Sequence, residues 1–438
     1  MYHRSIIKSL FVKKDQAHLF SMKTLSSNAD ESTNHVLISG GGIAGLALGL
    51  LLKRIGWDPV VIERDPVLRT TGYMMDFFGT GWDVAERIGI LEEIKKTRYP
   101  IDHFSYVDTN GNPRFPPVPI KRVRNALGGN YAYIRRSDLE RILFEHARRE
   151  DVEIRFGTGI RFIHQISTGV EVEFDNGETE SFSLIFGADG VHSRVRELAF
   201  KSESIYKRFL GYYIAGFDLV DANYSIGSSV KIYEYPGHVA FFYPIKPGRI
   251  ESMYIFRHED IGHVPKGERI PFVQEQFRSS GWIIPEVLQS LPLTEPIYFD
   301  SMEQIIMQSW QKGRVVLLGD ACGCLTPIAG QGSHMAIAGA YVLATELKRY
   351  GNDFHTAFSA YEHYLKRHVT RKQNDAVRFA KSFVPSTQNS LFFRYLLMRL
   401  AFSPVFIGRF FAMFGTRSIL DGYRGFESNT DLMMINGN

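Results

Sequence analysis

The sequence predicts an α/β protein: a parallel-sheet domain of the Rossmann type, an inserted antiparallel sheet, and helices at the C-terminal end. Three observations predict it. An apolar run from His35 to Ser39 leads into Gly40-x-Gly42-x-x-Gly45, a helix-forming stretch to Ile55, and a second apolar run ending at Glu63. Between about Lys207 and Asp300, short aromatic, alternating segments are separated by Gly and Pro. From Gly332 onward the apolar residues take helical spacing. The expected organisation is a tail over 1–34, the parallel-sheet domain over 35–99, 131–205 and 301–351, and the second domain over 100–130 and 206–300. C-terminal helices over 352–425 and a tail over 426–438 complete it.

The first unit, HVLISGGGIAGLALGLLLKRIGWDPVVIER, carries the chemistry of dinucleotide binding. Gly40 permits the tight turn, Gly42 lets backbone amides approach a pyrophosphate, and Gly45 lets helix and strand pack closely. The helix start offers free N–H groups and the positive end of its dipole to phosphate. Glu63, about 20 residues beyond the glycines, stands where a carboxylate accepts hydrogen bonds from a ribose. Ala44, inside the glycine turn, and Arg64, beside Glu63, complete the expected contacts of this unit.

The 438 residues suffice for two or three domains, and the formal charge of +4 points to no nucleic-acid surface. Arg4, Lys8, Lys13 and Lys14 carry much of that excess at the basic N-terminal end, which is expected to be a disordered tail; a targeting segment is the alternative. Cys322 and Cys324 are the only cysteines, and a disulfide across one residue would be strained, so reduced thiols of a cytoplasmic protein are expected. His258 and His263, like His363 and His368, are five residues apart rather than the four that place two imidazoles on one helical face. No metal site is therefore expected.

In order after Glu63, Gly72 and Gly79 suggest a mobile loop, followed by one amphipathic helix ending near Ile94. Strands and loops are expected from Pro100 to Asn130. YIRRSDLERILFEHARRE reads as a helix capped by Ser137 or Asp138, with Leu139, Ile142, Leu143 and Ala147 on the apolar face. Strands follow, with a hairpin turn at Asn176-Gly177, an apolar strand from Leu184 to Phe186, and the turn Gly187-Ala188-Asp189-Gly190. The second domain should be an antiparallel sheet with one aromatic face. A buried strand then leads to Gly319-Asp320, a Gly/Pro loop and a helix from Gly332 to Tyr350. The run LFFRYLLMRLAFSPVFIGRFFAMF contains three arginines and Pro404, and each buried charge costs about 2.5–3.5 kcal/mol in a bilayer. No transmembrane segment is expected; a helix packed on the protein is favoured over peripheral membrane contact.

Three motifs in this order, the glycine unit with Glu63, GADGVHSRVR and GDACGCLTPIAGQG, resemble those of the class A flavoprotein monooxygenases, the p-hydroxybenzoate hydroxylase-like family. The resemblance covers about Val36 to Tyr350. It implies a Rossmann-type FAD-binding domain with an inserted antiparallel-sheet substrate domain. It assigns Asp320 to the FAD ribityl chain, Asp189 to the second motif's acid, and Arg136 to a place near the flavin. Gly330 and Gly332 would bring the N-terminus of the following helix to the flavin pyrimidine ring, where reduction places negative charge. Two departures stand out: Ala321-Cys322-Gly323 where relatives often carry Ala-His or Ala-Tyr, and His334 where many have asparagine. The implied activity is hydroxylation of an aromatic small molecule with NAD(P)H and O2, the flavin supplying most of the chemistry.

A flavin dehydrogenase or saturase and a non-catalytic escort protein on the same fold are the alternatives. Gly281-Trp282-Ile283-Ile284-Pro285 is similar only in part to a flavin-dependent halogenase motif, because Ile284 replaces the second tryptophan. Tyr243 is the one weak candidate for orienting a substrate hydroxyl. Phe241, Phe242, Tyr243, Tyr254 and Phe256 are candidates for a flat apolar pocket, about half of them facing inward. Phe392, Phe393, Leu396, Leu397 and Leu400 would add a second wall, an arrangement similar to that of tetracycline-inactivating and polyketide-modifying members. A polycyclic substrate, tetracyclines included, is the resulting expectation.

Overall fold

A computed structural model describes residues 34–425, apart from 70–71, 201–204, 221–223, 225, 294–296, 328–329, 404–405 and 408–416. The N-terminal and C-terminal tails expected from the sequence lie outside the described residues.

The chain opens with β1 (His35–Ser39), α1 (Ile43–Arg54) and β2 (Asp58–Glu63). The stretch from Gly72 to Gly79, expected to be a mobile loop, contains β3 (Met74–Phe78), because its apolar residues bury Met74, Met75 and Phe77. The single helix expected to end near Ile94 is two, α2 (Thr80–Arg87) and α3 (Leu91–Thr97), broken where Gly89 takes φ +77°. Then come β4 (His103–Val107), β5 (Val118–Pro119) and α4 (Ile120–Ala126), a short helix that the Pro-rich surroundings hid.

After β6 (Tyr131–Arg135), α5 runs over Arg136–Arg149. Neither Ser137 nor Asp138 caps it, because the strand feeds directly into the helix and Arg135 takes the cap position without a side-chain bond. Leu139, Ile142, Leu143 and Ala147 are buried as their spacing predicted. Strands β7 (Glu153–Phe156), β8 (Ile160–Gln165), β9 (Val170–Phe174), β10 (Thr179–Phe182) and β11 (Leu184–Gly187) precede α6 (Arg194–Ala199). The Asn176-Gly177 turn joins the antiparallel pair β9 and β10.

Four long strands, β12 (Lys207–Val220), β13 (Ser229–Tyr235), β14 (His238–Lys246) and β15 (Arg249–Arg257), lead to α7 (Arg269–Gln276) and α8 (Ile284–Gln289). The remainder is β16 (Tyr298–Ile305), β17 (Gln311–Lys312), β18 (Val315–Leu317), α9 (Asp320–Gly323), α10 (Gly332–Tyr350), α11 (Phe354–Phe383) and α12 (Gln388–Ala401).

One six-stranded sheet has the order β17-β18-β11-β1-β2-β7, parallel except at the β17 edge. Its strands are apolar runs, as a sheet covered on both faces requires. Helix α1, apolar nearly all round, packs against α10 and α5. The second sheet has the order β16-β12-β15-β14-β13-β4-β5, antiparallel except where β4 runs parallel to β13. Both of its faces are aromatic, not one as expected. Tyr212, Phe241 and Tyr243 enter one core, while Tyr213, Phe242, Tyr254 and Phe256 enter the core behind it. Side-chain alternation forces this split, because consecutive aromatics must point to opposite faces.

Helix α11 spans the two assemblies. Its stripe of Tyr361, Leu365 and Val369 packs with the parallel sheet, and Ala380 packs with the second. Between them, the buried Gln373 Nε2 donates to the carbonyls of Ile305 (2.8 Å) and Cys324 (2.9 Å), joining the end of β16 to the end of α9.

A dinucleotide cleft at the ends of three adjacent strands

The three motifs follow β1, β11 and β18, which are neighbours in the sheet and run in one direction, so their C-terminal ends bring the motifs together. That edge is where open α/β sheets bind ligands. Contacts between the motifs are tight. Gly40 takes φ +114°, and a Cβ there would lie 2.4 Å from the Ala188 carbonyl oxygen of the second motif. A Cβ on Gly45 would lie 1.9 Å from the Gly40 carbonyl oxygen, so only glycine lets α1 approach this turn. Gly319, opening the third motif, sits against Ala44 in α1.

A cavity of about 1280 Å³ runs along this edge, larger than the about 300–1,000 Å³ typical of drug-sized ligands. Gly40, Gly42, Glu63, Arg64, Arg136, Asp189, Asp320, Gly330 and Gly332 all stand on its wall. Gly45 and Ala44 do not; they are buried and shape the turn from behind. Tyr243 is also absent from the wall, being buried in the second sheet beside Phe241 and Tyr133.

The Glu63 carboxylate is held in place by two backbone donors, Gly41 N–H to Oε2 and Asp65 N–H to Oε1, each at 2.9 Å. Each oxygen retains acceptor capacity toward the cavity. Asp189 accepts from the Ser193 hydroxyl (2.5 Å) and the Val195 N–H (3.0 Å), so its carboxylate fixes the turn leading into α6. Burial pushes the Asp189 carboxyl up, against these hydrogen bonds. Burial also pushes Asp320 up, and the Arg136 charge opposes that shift. Arg136 pairs in turn with the buried Glu140 (3.1 Å), the nearest atom to Gly42 on the open side of its backbone.

Sequence reasoning passed over Glu140, although the Arg136-x-x-x-Glu140 spacing signals an ion pair on one helix face. It also passed over Tyr73, Phe156, Tyr213, Tyr298 and Phe299, the aromatic residues on the cavity wall. The five aromatics expected there, Phe241, Phe242, Tyr243, Tyr254 and Phe256, are buried in the two cores of the second sheet. The expected second wall is also corrected: Phe392, Phe393, Leu396, Leu397 and Leu400 face solvent.

His334, in the first turn of α10, is 2 % exposed and packs edge-on against Phe77 and Phe78, both at 5.3 Å. Burial chiefly, and the Lys372 charge next, push its imidazole down to about 3, while a hydrogen bond with the Asp76 backbone works the other way. Its Nε2 has no hydrogen-bond partner among the described residues. Gly81 makes room for the ring, since a Cβ there would lie 2.5 Å from His334 Cδ2. Cys322 and Cys324 are free buried thiols whose ionisation burial pushes upward.

A glycine cradle, a fixed carboxylate at the second strand and a third motif at a helix start define a dinucleotide-binding protein. The match to known families agrees. Residues 33–353 match the FAD binding domain family, and the chain belongs to it. A flavin-dependent monooxygenase of Legionella longbeachae is 31% identical over 361 residues, covering 80% of this chain and 89% of that one. The crystal structure of the tetracycline destructase Tet(51) superposes with a TM-score of 0.74 at 30% identity, covering 85% of this chain and 97% of that one. Klebsiella pneumoniae HpxO, solved with FAD and uric acid, shares the fold (TM-score 0.73, 20% identity, 89% and 99% covered). The chain is therefore a member of the flavin-dependent monooxygenases, and the expected class A resemblance is met. No helix among the described residues is long and apolar enough to cross a membrane.

Proposed function

We propose that this protein is an FAD-dependent monooxygenase that uses NAD(P)H and O2 to hydroxylate a polycyclic aromatic or polyketide-like small molecule, with tetracyclines among the candidates. The observation that carries the reading is one continuous cavity. It extends from the phosphate turn at Gly40–Gly42 past Asp320 and the start of α10 to Tyr73 and Tyr298, whose rings stand 5.6 Å apart. FAD, when bound, supplies the electron transfer and oxygen activation.

The chain's residues hold and orient it. Gly40 and Gly42 with the α1 N-terminus receive the pyrophosphate, and Glu63 accepts from ribose hydroxyls. Asp320 accepts from the ribityl chain, and Gly330 and Gly332 bring N–H groups of α10 toward the pyrimidine ring. Arg136, neutralised in part by Glu140, balances the buried Asp320. His334 stays neutral and serves as a packing group behind the ring site, so no charge is added there at neutral pH. Similarity to the tetracycline destructase Tet(51) over nearly the whole of that chain supports the polycyclic substrate class. The presence of Gly42, Glu63, Asp189 and Asp320 favours a flavoenzyme over an escort role, and similarity to flavin-dependent monooxygenases favours oxygenation over a dehydrogenase or saturase reaction.

The test is oxygen-dependent NADPH oxidation by the purified protein across single-ring phenols, polycyclic aromatics and tetracyclines, with product masses recorded. A polycyclic ligand that stimulates oxidation and gains one oxygen supports the reading. Efficient hydroxylation of single-ring phenols, with polycyclic ligands neither bound nor converted, overturns it.

A further inference from the structure

The C-terminal helix α12 presents an apolar stripe to solvent although the helix itself is firmly anchored. Phe392 is 68 % exposed, Phe393 62 %, Leu396 52 %, Leu397 66 % and Leu400 55 %. At 3.6 residues per turn these five share one side of the helix. The opposite side carries Leu391 and Met398, both buried, and Arg394, whose guanidinium meets the buried Glu234 carboxylate at 2.6 Å. Phe402, just past the helix, packs edge-on against Phe104 at 4.8 Å. A capping box of Thr387 and Ser390 fixes the helix start. The ion pair cannot be kept if the helix rolls, so the apolar stripe is locked outward.

The exposed charge near this stripe is predominantly positive. No Asp or Glu occurs from residue 376 to the end of α12, a span that includes the exposed Lys381 and Arg399, while the exposed Arg378 is paired with Asp375 at 3.9 Å. Helix α4, whose Ile120 and Val123 share a core with Met398 and Phe402, adds the exposed Lys121 and Arg122 with no acid. Contiguous exposed apolar surface marks an interaction site, and an apolar stripe with a basic rim is the signature of a helix lying in a membrane interface. The exposed Lys121, Arg122, Lys381 and Arg399 leave the surround net basic, and a net basic rim about an apolar stripe matches a surface of uniform negative charge.

We propose that the exposed face of α12 docks the protein on an anionic phospholipid surface, with Phe392, Phe393, Leu396, Leu397 and Leu400 entering the headgroup region and the surrounding arginines and lysines facing lipid phosphates. The docking is peripheral, because the other side of the helix remains committed to the protein core. This inference does not depend on the substrate proposed above.

The experiment is co-sedimentation of the full chain, loaded with FAD, with phosphatidylcholine vesicles prepared with and without phosphatidylserine. The wild-type protein should sediment with the anionic vesicles and less with the neutral ones, and added salt should release it. The pair Phe393→Glu and Leu397→Glu should lower partitioning at least about tenfold while flavin content stays unchanged, since neither residue stands on the cavity wall. Arg399→Glu, which leaves the stripe intact, should weaken binding to the anionic vesicles selectively. Wild-type protein that stays in the supernatant with both vesicle types overturns the proposal. So does a dimer in sedimentation velocity that the glutamate pair dissolves without any effect on vesicle binding, because the face would then be an interface between copies.

Discussion

Replacing His334 by asparagine should remove a pH-dependent loss of stability whose size follows from burial. The folded imidazole stays neutral down to about pH 3, while in the unfolded chain it takes a proton near 6.5. A depressed folded value means that the stabilising difference is fully present above pH 6.5 and is lost as pH falls. The unfolded state then gains a proton that the folded state cannot accept. Between neutral pH and about pH 5 the loss is about 1.5 units at about 1.36 kcal/mol each, or about 2 kcal/mol. It grows to about 5 kcal/mol near pH 3, over the whole interval between the two values.

Asparagine keeps a polar group beside the Asp76 backbone without titrating. Lys372, pushed down to about 8 mainly by burial, also titrates between about pH 8 and pH 5, and the carboxylates titrate below, but these contributions are common to both proteins. The assay is urea unfolding of wild type and His334→Asn with excess FAD at about pH 8 and about pH 5. The wild type should lose about 2 kcal/mol relative to the variant on acidification. A difference that changes by less than about 0.5 kcal/mol would show that His334 reaches solvent or a partner in the folded protein, and would refute the burial argument.

Glu63→Arg should yield largely colourless protein, because a cation replaces the acceptor held by Gly41 and Asp65; normal flavin content by absorbance would remove the ribose assignment. Asp320→Ala should likewise lose flavin, checked by the same spectrum after gel filtration. Gly45→Ala should cost at least about 1–3 kcal/mol in chemical denaturation, because the Gly40 carbonyl already occupies the space of the new methyl. Arg394→Ala should cost about 3–5 kcal/mol by stranding Glu234, and adding Glu234→Gln should recover much of it, as measured by urea unfolding.

Much of the cofactor half of the site was legible because it is built from backbone. A glycine that must pass within van der Waals contact of a neighbouring carbonyl leaves a fixed letter in the sequence, and Gly40 and Gly45 are such letters. The acid at the end of β2 and the Asp320 turn sit at strand ends that the apolar runs had already located. The second and third motifs could be placed beside the first because parallel strands deliver their C-terminal ends to one edge. Nearby, the structure departs from expectation where the sequence offers two local alternatives. Gly72 and Gly79 read as loop punctuation, yet Met74–Phe78 between them pair with β6 along its whole length.

The substrate half was less legible because it depends on which face of an element meets which neighbour. The run Phe241-Phe242-Tyr243 announces a strand, but not whether its odd or even residues meet a cavity; here neither set does, and the paired aromatics on the wall are Tyr73 and Tyr298. Helix α12 poses the same problem at period 3.6. Phe392, Phe393, Leu396, Leu397 and Leu400 have the spacing of a packed face, and Leu391, Tyr395, Met398 and Phe402 have it equally well. Apolar periodicity cannot choose between two apolar faces of one helix. A charge decides it: Arg394 lies on the side of Leu391 and Met398, and its partner Glu234 is buried in a distant strand of the second sheet. A buried carboxylate without that guanidinium would cost several kcal/mol, while rolling the helix would exchange one apolar face for the other and return only the difference between them. The orientation of the C-terminal helix is thus an electrostatic outcome, and the face it leaves exposed is a consequence of where Glu234 sits.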